Sequence, residues 1–353
     1  MNIKNRILVI TRNYPPKIGG LETFSFNLIQ NFEKRASTYK ITLSKSNIHL
    51  LWFIPYSLFL ASFMIKRYRI QKVHLCDGVL SPIGFILKAF FRIQVTVTIH
   101  GLDITYSNRS YQLFIPRILS HLDKIVCVSR STLTECVNRG MSASKCIVIG
   151  NGVNANDFKL NLPKNEISYK FKKIVDFEVN SKKILLTVGR LVQRKGVVWF
   201  LENVFYKLDE NYIYLIVGSG PEYGSIAKTI MKYSLENRVK VFSGLSDLER
   251  NIVYHSSDLF IMPNIIVDGD VEGFGITAIE AGVCGLPVVA SDLQGIKDAV
   301  VNEITGILIQ VEDSVGYSSA IINQSYNRKV IAEYVMKNFS WDKCIDAYFS
   351  LLF

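Results

Sequence analysis

Two glutamates lie at the ends of the stretch EGFGITAIE, in which a glycine-containing turn leads into an apolar segment. These residues are Glu272 and Glu280, and the turn between them has the character of a helix start. The first amides of a helix have no intrahelical acceptor and favour an anion such as a diphosphate. Because carboxylates repel an anion but bind hydroxyl groups strongly, we predict that the two glutamates bind hydroxyls on either side of a diphosphate. A nucleotide-sugar offers this arrangement, with a sugar on one side and a ribose on the other.

Cationic residues follow an apolar strand in the same half of the chain. In TVGRLVQRKG, Arg190 and Lys195 come just after the strand, at the end where ligands bind in parallel sheets. Arg194 stands between them, so a solvated run of charge is the alternative interpretation. The position at the strand end favours an anionic ligand.

Two further strand ends carry weaker signals. Gly19 and Gly20 precede a predicted helix, and a turn without side chains lets the backbone approach a phosphate closely. His100 ends the strand in TIHGLD. Taken alone, it is better interpreted as a histidine satisfied by hydrogen bonds at a sheet edge. Neither signal identifies a site without support from the rest of the chain.

Other classes of site fit the sequence poorly. Gly218, Gly220 and Gly224 in VGSGPEYG miss the spacing of a dinucleotide-binding loop, which argues against a nicotinamide cofactor. The DGD stretch at 268–270 has no further carboxylates at ligand spacing, so we interpret it as a solvated loop and not as a metal site. The six cysteines form no C-x-x-C pair, which disfavours both zinc and disulfides and favours a reducing cytoplasm.

The bulk composition is that of a folded protein with two domains of ordinary size. The chain has 353 residues, of which 49% are hydrophobic and 20% charged. Residues 1–160 contain 21 Lys and Arg against 7 Asp and Glu, whereas the rest of the chain contains 20 against 23. A basic half indicates an anionic partner surface. Because no nucleic-acid-binding motif is present, we expect an anionic membrane and no nucleic acid.

One apolar run lies within the basic half. LLWFIPYSLFLASFMI, residues 50–65, is followed at once by KRYR. These 16 residues, interrupted by Pro55, fall short of the roughly 20 needed to cross a bilayer, so we expect a buried or interfacial helix, with a transmembrane helix as the alternative. Lys66, Arg67 and Arg69 would contact the membrane. The protein would then be cytoplasmic and peripheral on the inner face of the plasma membrane.

Strand-like runs alternate with helical stretches along the whole chain. Strands are predicted at 6–11, 95–100, 124–129, 146–150, 183–189, 212–218, 239–244, 258–263 and 287–291, with helices near 20–34, 50–68, 82–92, 110–122 and 131–139. Continuous apolar strands separated by helices predict parallel sheets that are covered on both faces. The strands form two series, split by the polar stretch 161–173. They therefore predict two doubly wound α/β domains in tandem.

Taken in order, these segments resemble the retaining glycosyltransferases of family 4, which have the GT-B fold. The matching motifs are GGLE (19–22), HGLD (100–103), DKIVCVS (123–129), IGNGVN (149–154), VGRLVQRKG (188–196), GSGPE (218–222), EGFGITAIEAGVCGLPVVAS (272–291) and SWDKCIDAY (340–348). The resemblance covers nearly the whole chain, and the two glutamates form the family's E-x7-E motif. It implies two Rossmann-like domains that face each other across a cleft. The expected parts are an acceptor-binding domain (1–165), a donor-binding domain (166–340) and a terminal helix (341–353) that crosses back to the first domain.

The resemblance also implies a role for each matching residue. His100 would lie beside the reacting sugar, Arg190 and Lys195 would neutralise the diphosphate, and Glu272 would hold sugar hydroxyls. The residues implied in donor binding are Gly19, Gly20, Gly218, Gly273, Phe274, Gly275, Ile276 and Glu280. Among these, Glu280 would hold the ribose and the amides of residues 274–276 the phosphate. The implied reaction retains the anomeric configuration by same-face attack and needs no metal and no cofactor.

The implied partners are a UDP- or GDP-type sugar donor and a glycan or lipid-linked acceptor, as in lipopolysaccharide, O-antigen or capsule synthesis. The chain departs from the family at DLQGIKDAV, where a glycine pair and a Pro-Glu are frequent, and no role is carried over to Asp298. Two alternatives stay open: a glycosyltransferase with a soluble acceptor, and a non-catalytic protein of the same fold that binds nucleotide-sugars. A UDP-GlcNAc 2-epimerase is disfavoured because its motifs differ.

Overall fold

The chain folds into two compact units. The computed structural model describes residues 5–16, 19–44, 47–176, 178–179, 181–323 and 326–353. The first unit takes the described residues within 1–152, together with 269–274 and 341–353, and the second unit takes those within 153–268 and 275–340. The loop 269–274 and the C-terminal segment thus belong to the first unit, although the sequence around them belongs to the second.

The first unit contains six strands and seven helices among its described residues. The strands are β1 (Arg6–Thr11), β2 (Ser37–Thr42), β3 (Lys72–Leu75), β4 (Gln94–Ile99), β5 (Lys124–Cys127) and β6 (Cys146–Val148). The helices are α1 (Gly20–Glu33), α2 (Leu50–Tyr68), α3 (Ser81–Phe90), α4 (Leu102–Thr105), α5 (Arg109–Ser120), α6 (Arg130–Asn138) and, at the end of the chain, α15 (Trp341–Leu352). All strand pairs are parallel, in the order β2-β1-β3-β4-β5-β6.

The second unit contains six strands and eight helices in the part that the structure describes. The strands are β7 (Lys183–Val188), β8 (Tyr212–Val217), β9 (Val239–Phe242), β10 (Leu259–Met262), β11 (Val288–Ser291) and β12 (Gly306–Ile309). The helices are α7 (Lys164–Val175), α8 (Val197–Asn203), α9 (Tyr223–Lys232), α10 (Asp247–Ser256), α11 (Ile276–Val283), α12 (Ile296–Ala299), α13 (Ser314–Asn323) and α14 (Arg328–Asn338). The parallel order is β12-β11-β10-β7-β8-β9.

The strand order places the ligand-binding end of each sheet. The order reverses between β1 and β3 in the first sheet and between β7 and β10 in the second. In open parallel sheets, ligands bind beyond the carboxyl ends of the strands at this reversal. The loops that follow β7 and β10 carry Arg190 and Lys195, and the stretch that leads to Glu272. The predicted site residues that follow β7 and β10 therefore lie at the end of the sheet where ligands bind in folds of this class.

Both faces of the first sheet are covered by helices. Phe53, Ala61 and Ile65 of α2 pack with the side chains of α3, α5 and α6 on one face. Helices α1 and α15 cover the other face, where Phe32 and Tyr348 are fully buried. The predicted parallel sheets covered on both faces are confirmed for this unit.

Most predicted strands and helices are observed within one or two residues, but three strands were not predicted. Strand β2 forms one edge of its sheet and is half-exposed, so it lacks a continuous apolar run. Strand β3 contains His74, which is fully buried and bonded through Nδ1 to Thr96 Oγ1 at 2.8 Å. Strand β12 is a four-residue edge strand. Most of the polar stretch 161–173, which was predicted to separate the two series of strands, forms α7.

Candidate functional site

Glu280 is held on helix α11 by a buried tyrosine. The helix begins at Ile276 after Gly275, whose φ of 93° is a left-handed conformation that favours glycine. One turn further on, Glu280 lies half-buried, and its Oε2 accepts a hydrogen bond of 3.0 Å from the hydroxyl of Tyr254. The predicted helix start near residues 274–275 is therefore correct to within two residues. No side chain of the described residues caps α11 with a hydrogen bond.

Two cations act electrostatically on this carboxylate. Burial raises the pKa of Glu280, while Arg250, the Tyr254 hydroxyl and Lys195 each oppose that rise. Arg250 also forms an ion pair with Asp247 at 2.9 Å on the same helix. The cluster thus holds an ionisable carboxylate under the electrostatic influence of a lysine and an arginine.

The loop that carries Lys195 is fixed to the strand next to it in the sheet. Gly196, with φ of 65°, packs so tightly that an added Cβ would lie 1.8 Å from the carbonyl oxygen of Pro263. The amide of Ile265 donates to Arg194 O at 3.0 Å. Lys195 is half-buried, and its side chain passes close to Gly189 at the end of β7. Backbone contacts with the segment after β10 therefore set the position of the lysine.

The GSGPE segment, residues 218–222, packs against the backbone of the loop that carries Arg190. A Cβ on Gly218 would lie 1.8 Å from Gly189 O, and one on Gly220 would lie 2.3 Å from Leu191 O. Backbone hydrogen bonds join Leu191 N to Ser219 O and Glu222 N to Leu191 O. Glycine at 218 is thus explained by a close approach of backbone that places Arg190. The Arg190 side chain is exposed, and it makes no hydrogen bond or ion pair to another described residue.

His100 is fixed in the first unit from three sides. Its Nε2 lies 2.9 Å from the carbonyl oxygen of Cys76, so that nitrogen is the one that carries a proton and donates. Its backbone amide donates to Asp103 Oδ1 at 2.8 Å, and the other carboxylate oxygen accepts from Gly78 N at 3.0 Å. The ring of Phe24 lies edge-on at 4.7 Å. The histidine ring is therefore oriented, with Nδ1 as its remaining acceptor.

Glu272, Gly273 and Phe274 lie in the first unit beside this histidine. A Cβ on Gly273 would lie 1.9 Å from His100 O, so glycine is required there. Phe274 is buried, and its ring lies against Gly150, where a Cβ would come within 3.0 Å of the ring. Glu272 is also buried, at 9% exposure. The structure thus brings Glu272, Gly273 and Phe274 together with His100.

The remaining predicted residues lie at the start of α1 and on α2. Gly19 is the N-terminal cap of α1 and Gly20 is its first residue, so both are at the carboxyl end of the first sheet as expected. Lys66, Arg67 and Arg69 are exposed at the end of α2. Asp298 lies within α12 and not before it.

Sequence reasoning missed Tyr254, Arg250 and Asp103. Tyr254 is separated from Glu280 by 26 residues and reaches it only through the packing of the folded unit. Asp103 is visible in the HGLD motif, but its bond to Gly78 depends on the pairing of β3 with β4. In the part of the chain that the structure describes, no group of three or more His, Cys, Asp and Glu could hold a metal ion.

Known proteins share both halves of this architecture. Residues 6–157 match the model of glycosyltransferase family 4, and residues 170–336 match that of glycosyl transferases group 1. An Anabaena protein, HepE, solved with UDP and glucose, has the same fold, with a TM-score of 0.77, 17% identity and coverage of 99% of this chain and 100% of that one. Two parallel six-stranded sheets with interleaved helices, together with this match, show the GT-B fold. The chain belongs to the group 1, family 4-like glycosyltransferases.

Two relatives show how wide this family is. An uncharacterized glycosyltransferase of Methanocaldococcus jannaschii is 23% identical, with 96% of this chain and 95% of that protein covered. The Escherichia coli UDP-Gal:alpha-D-GlcNAc-diphosphoundecaprenol alpha-1,3-galactosyltransferase is also 23% identical, over 73% of this chain and 67% of its own length. Its name describes a UDP-sugar donor and a lipid-linked acceptor.

Proposed function

We propose that this glycosyltransferase moves a sugar from a UDP- or GDP-type donor to a lipid-linked acceptor, with retention of the anomeric configuration and without a metal ion. The observation that carries the proposal is the cluster in the second unit, in which Lys195 and Arg250 flank Glu280 on a helix whose first turn is not capped by a side chain of the described residues. Such a helix start and its cations suit a diphosphate, and a carboxylate between cations suits the ribose hydroxyls.

In this proposal each group acts on a stated part of the donor. Lys195 and Arg190 neutralise the negative charge that develops on the diphosphate as its bond to the anomeric carbon breaks, which is commonly the largest catalytic contribution. Glu280 accepts hydrogen bonds from the ribose, and Glu272 from the sugar. His100, oriented by Cys76 O, lies beside the reacting sugar. The departing phosphate guides the acceptor hydroxyl to the same face of the sugar, which retains the configuration.

The acceptor and the location rest on two observations. The E. coli relative uses a diphosphoundecaprenol acceptor according to its name, and residues 1–160 of this chain are strongly basic. We therefore propose a lipid-linked acceptor of the polysaccharide, O-antigen or lipopolysaccharide type at the cytoplasmic membrane face, with Lys66, Arg67 and Arg69 on anionic lipid. Replacing all three by Glu should move the protein from the membrane to the soluble fraction, and unchanged partitioning would reject this location.

Ligand-dependent thermal stability tests the donor. A nucleoside diphosphate at 100 times its Kd stabilises the native state by about 2.7 kcal/mol, so UDP or GDP should raise the Tm by several degrees. The Glu280→Gln variant should need a higher nucleotide concentration for the same shift. If no nucleoside diphosphate shifts the Tm, the proposal fails. If a nucleotide-sugar binds but is not slowly hydrolysed in the absence of acceptor, the protein is the non-catalytic alternative.

Removing the Tyr254 hydroxyl should shift the pH dependence of donor binding. The hydrogen bond from Tyr254 lowers the pKa of Glu280 against the effect of burial, so Tyr254→Phe raises that pKa further. Protonated Glu280 is a poorer acceptor for ribose hydroxyls. The acid limb of kcat/KM should therefore move to higher pH, mostly through the KM of the donor, while the rate at high pH changes little.

A control on another buried tyrosine of the same unit isolates this effect. Tyr214 is fully buried in the same unit, and its hydroxyl is bonded to Thr187 Oγ1 at 2.7 Å, away from Glu280. Tyr214→Phe should lower stability without moving the acid limb. An acid limb that is the same in Tyr254→Phe and in the unmodified enzyme would show that Tyr254 has only a packing role.

A further inference from the structure

Helix α2 is apolar on the face that points to solvent as well as on the face that packs on the sheet. Phe53, Ser57, Ala61 and Ile65 are buried at four-residue intervals and face the core. The opposite side carries five large hydrophobic residues, whose exposures are Leu51 86%, Trp52 46%, Tyr56 49%, Phe59 76% and Phe63 55%. Positions 52, 56, 59 and 63 repeat at helical spacing, so they form one stripe. A soluble surface helix carries polar residues there.

The neighbouring helices α3 and α5 also carry exposed phenylalanines. Helix α3 packs beside α2, and α5 packs beside α3, in the layer that covers one face of the first sheet. Phe90, at the end of α3, is 79% exposed, and Phe114 on α5 is 59% exposed. Exposed apolar patches of this kind mark interaction sites, whereas scattered single residues do not.

The charge at the end of the stripe is positive. Residues 44–76 contain five Lys and Arg residues and no Asp or Glu. Lys66, Arg67 and Arg69 follow the last aromatic residue of the stripe, and Lys66 Nζ lies 5.8 Å from the ring centroid of Phe91. Each Lys or Arg near an anionic leaflet contributes about 1 kcal/mol of attraction. The surface is therefore complementary to an anionic lipid headgroup layer, with the aromatic side chains directed at the region beneath it.

We infer that the stripe defined by Trp52, Tyr56, Phe59 and Phe63 inserts into one leaflet of an anionic membrane, with α2 lying in the plane of the interface. Helix α2 is the one described helix that is long and apolar enough to span a bilayer. Its inner face, however, is part of the core of the first sheet, and Phe53 and Ala61 are almost completely buried there. Spanning would remove these side chains from the core, whereas in-plane insertion leaves them in place.

This inference rests on the proposed function, in which the acceptor is lipid-linked. It adds that an anionic membrane presents this acceptor and that the stripe on α2 binds that membrane. A diphosphate-lipid acceptor has its sugar at the headgroup level, and insertion of the stripe holds the first unit at that level. The stripe, and not the charge of Lys66, Arg67 and Arg69 alone, then determines depth. An enzyme that meets its acceptor in water would gain nothing from an exposed apolar stripe of this kind.

Trp52 reports on insertion directly. The chain has three tryptophans; Trp341 is buried, so in a Trp199→Phe background Trp52 is the solvent-accessible reporter. With phosphatidylglycerol vesicles we expect a blue shift of its emission and quenching by lipids labelled near the headgroups, but little quenching by lipids labelled at the bilayer centre. Phe59→Ser/Phe63→Ser should weaken vesicle partitioning by roughly 100-fold.

The matched control removes exposed apolar residues elsewhere. Val315 and Ile322 on α13 are 77% and 53% exposed, and Val315→Ser/Ile322→Ser should leave partitioning unchanged. Strong quenching at the bilayer centre would overturn the inference in favour of a spanning helix. Equal partitioning of the two double variants would also overturn it, as would a dimer in solution that Phe59→Ser/Phe63→Ser dissociates.

The donor site gives an independent readout. The Phe59→Ser/Phe63→Ser variant should still be stabilised by UDP or GDP, and it should still hydrolyse the donor slowly in the absence of acceptor. These two properties also show that the variant is folded. Loss of vesicle binding with these activities intact supports the inference. If vesicles bind but no nucleotide stabilises the enzyme, the proposed function fails while the membrane surface stands.

Discussion

Replacing Lys195 by Met should lower kcat by roughly 100- to 1,000-fold, the loss typical of removing one group that stabilises developing charge. Lys195 is half-buried in a loop that is fixed by Gly196 against Pro263 O, so its ammonium is positioned before the reaction begins. The charge on the diphosphate is larger in the transition state than in the bound donor, and the loss should therefore appear in kcat more than in the KM of the donor. Steady-state measurement of nucleotide release checks this.

Two controls distinguish chemistry from folding. Lys195→Arg keeps the charge and should retain more activity than Lys195→Met. Lys228 is an exposed lysine on α9 in the same unit, and Lys228→Met should behave as the unmodified enzyme. If Lys195→Met had full kcat with an intact thermal transition, the leaving group would be stabilised elsewhere and the proposed role of Lys195 would be wrong.

The second large effect is expected at Gly273. Its added Cβ would lie 1.9 Å from the carbonyl oxygen of His100, a backbone atom that cannot rotate away as a side chain would. Gly273→Ala therefore has to displace the segment that carries Glu272 and Phe274, or the end of β4 that carries His100. Because a displacement of 1 Å in a catalytic group costs about 100-fold, we expect kcat/KM to fall by at least that factor.

A nucleotide-binding measurement locates this defect. Glu280, Lys195 and Arg250 belong to the second unit, so Gly273→Ala should retain much of the stabilisation by the nucleoside diphosphate while losing transfer. Gly224 is the control, since a Cβ there meets no atom within 4 Å, and Gly224→Ala should have full activity. Activity of Gly273→Ala equal to that of Gly224→Ala would show that the loop tolerates the displacement.

The local regularities of the sequence determined most of the architecture. The continuous apolar runs of β1, β7 and β8 predict buried parallel strands. A strand that is covered on both faces does not alternate between polar and apolar residues. Gly275 was also predicted in a turn at the start of a helix, where its left-handed φ favours glycine, whereas the need for glycine at 218 comes from a close approach to Gly189 O. The family resemblance followed from such motifs in order, and it is confirmed by the two family models. The edge strands β2 and β12 were not predicted, because an edge strand buries less surface and therefore has a weaker hydrophobic pattern in the sequence.

Only the tertiary structure determined which groups hydrogen-bond to the carboxylates of the site and which face of α2 is exposed. The contact of Tyr254 with Glu280 and the bond of Asp103 to Gly78 join residues that are far apart in sequence, and no local pattern encodes such pairs. The run at 50–65 was predicted as part of a buried or interfacial helix near 50–68, and the observed helix, Leu50–Tyr68, continues through Pro55. Which of its apolar faces meets the core is set by the sheet on which it packs, because hydrophobic residues on both sides give the sequence no preferred face.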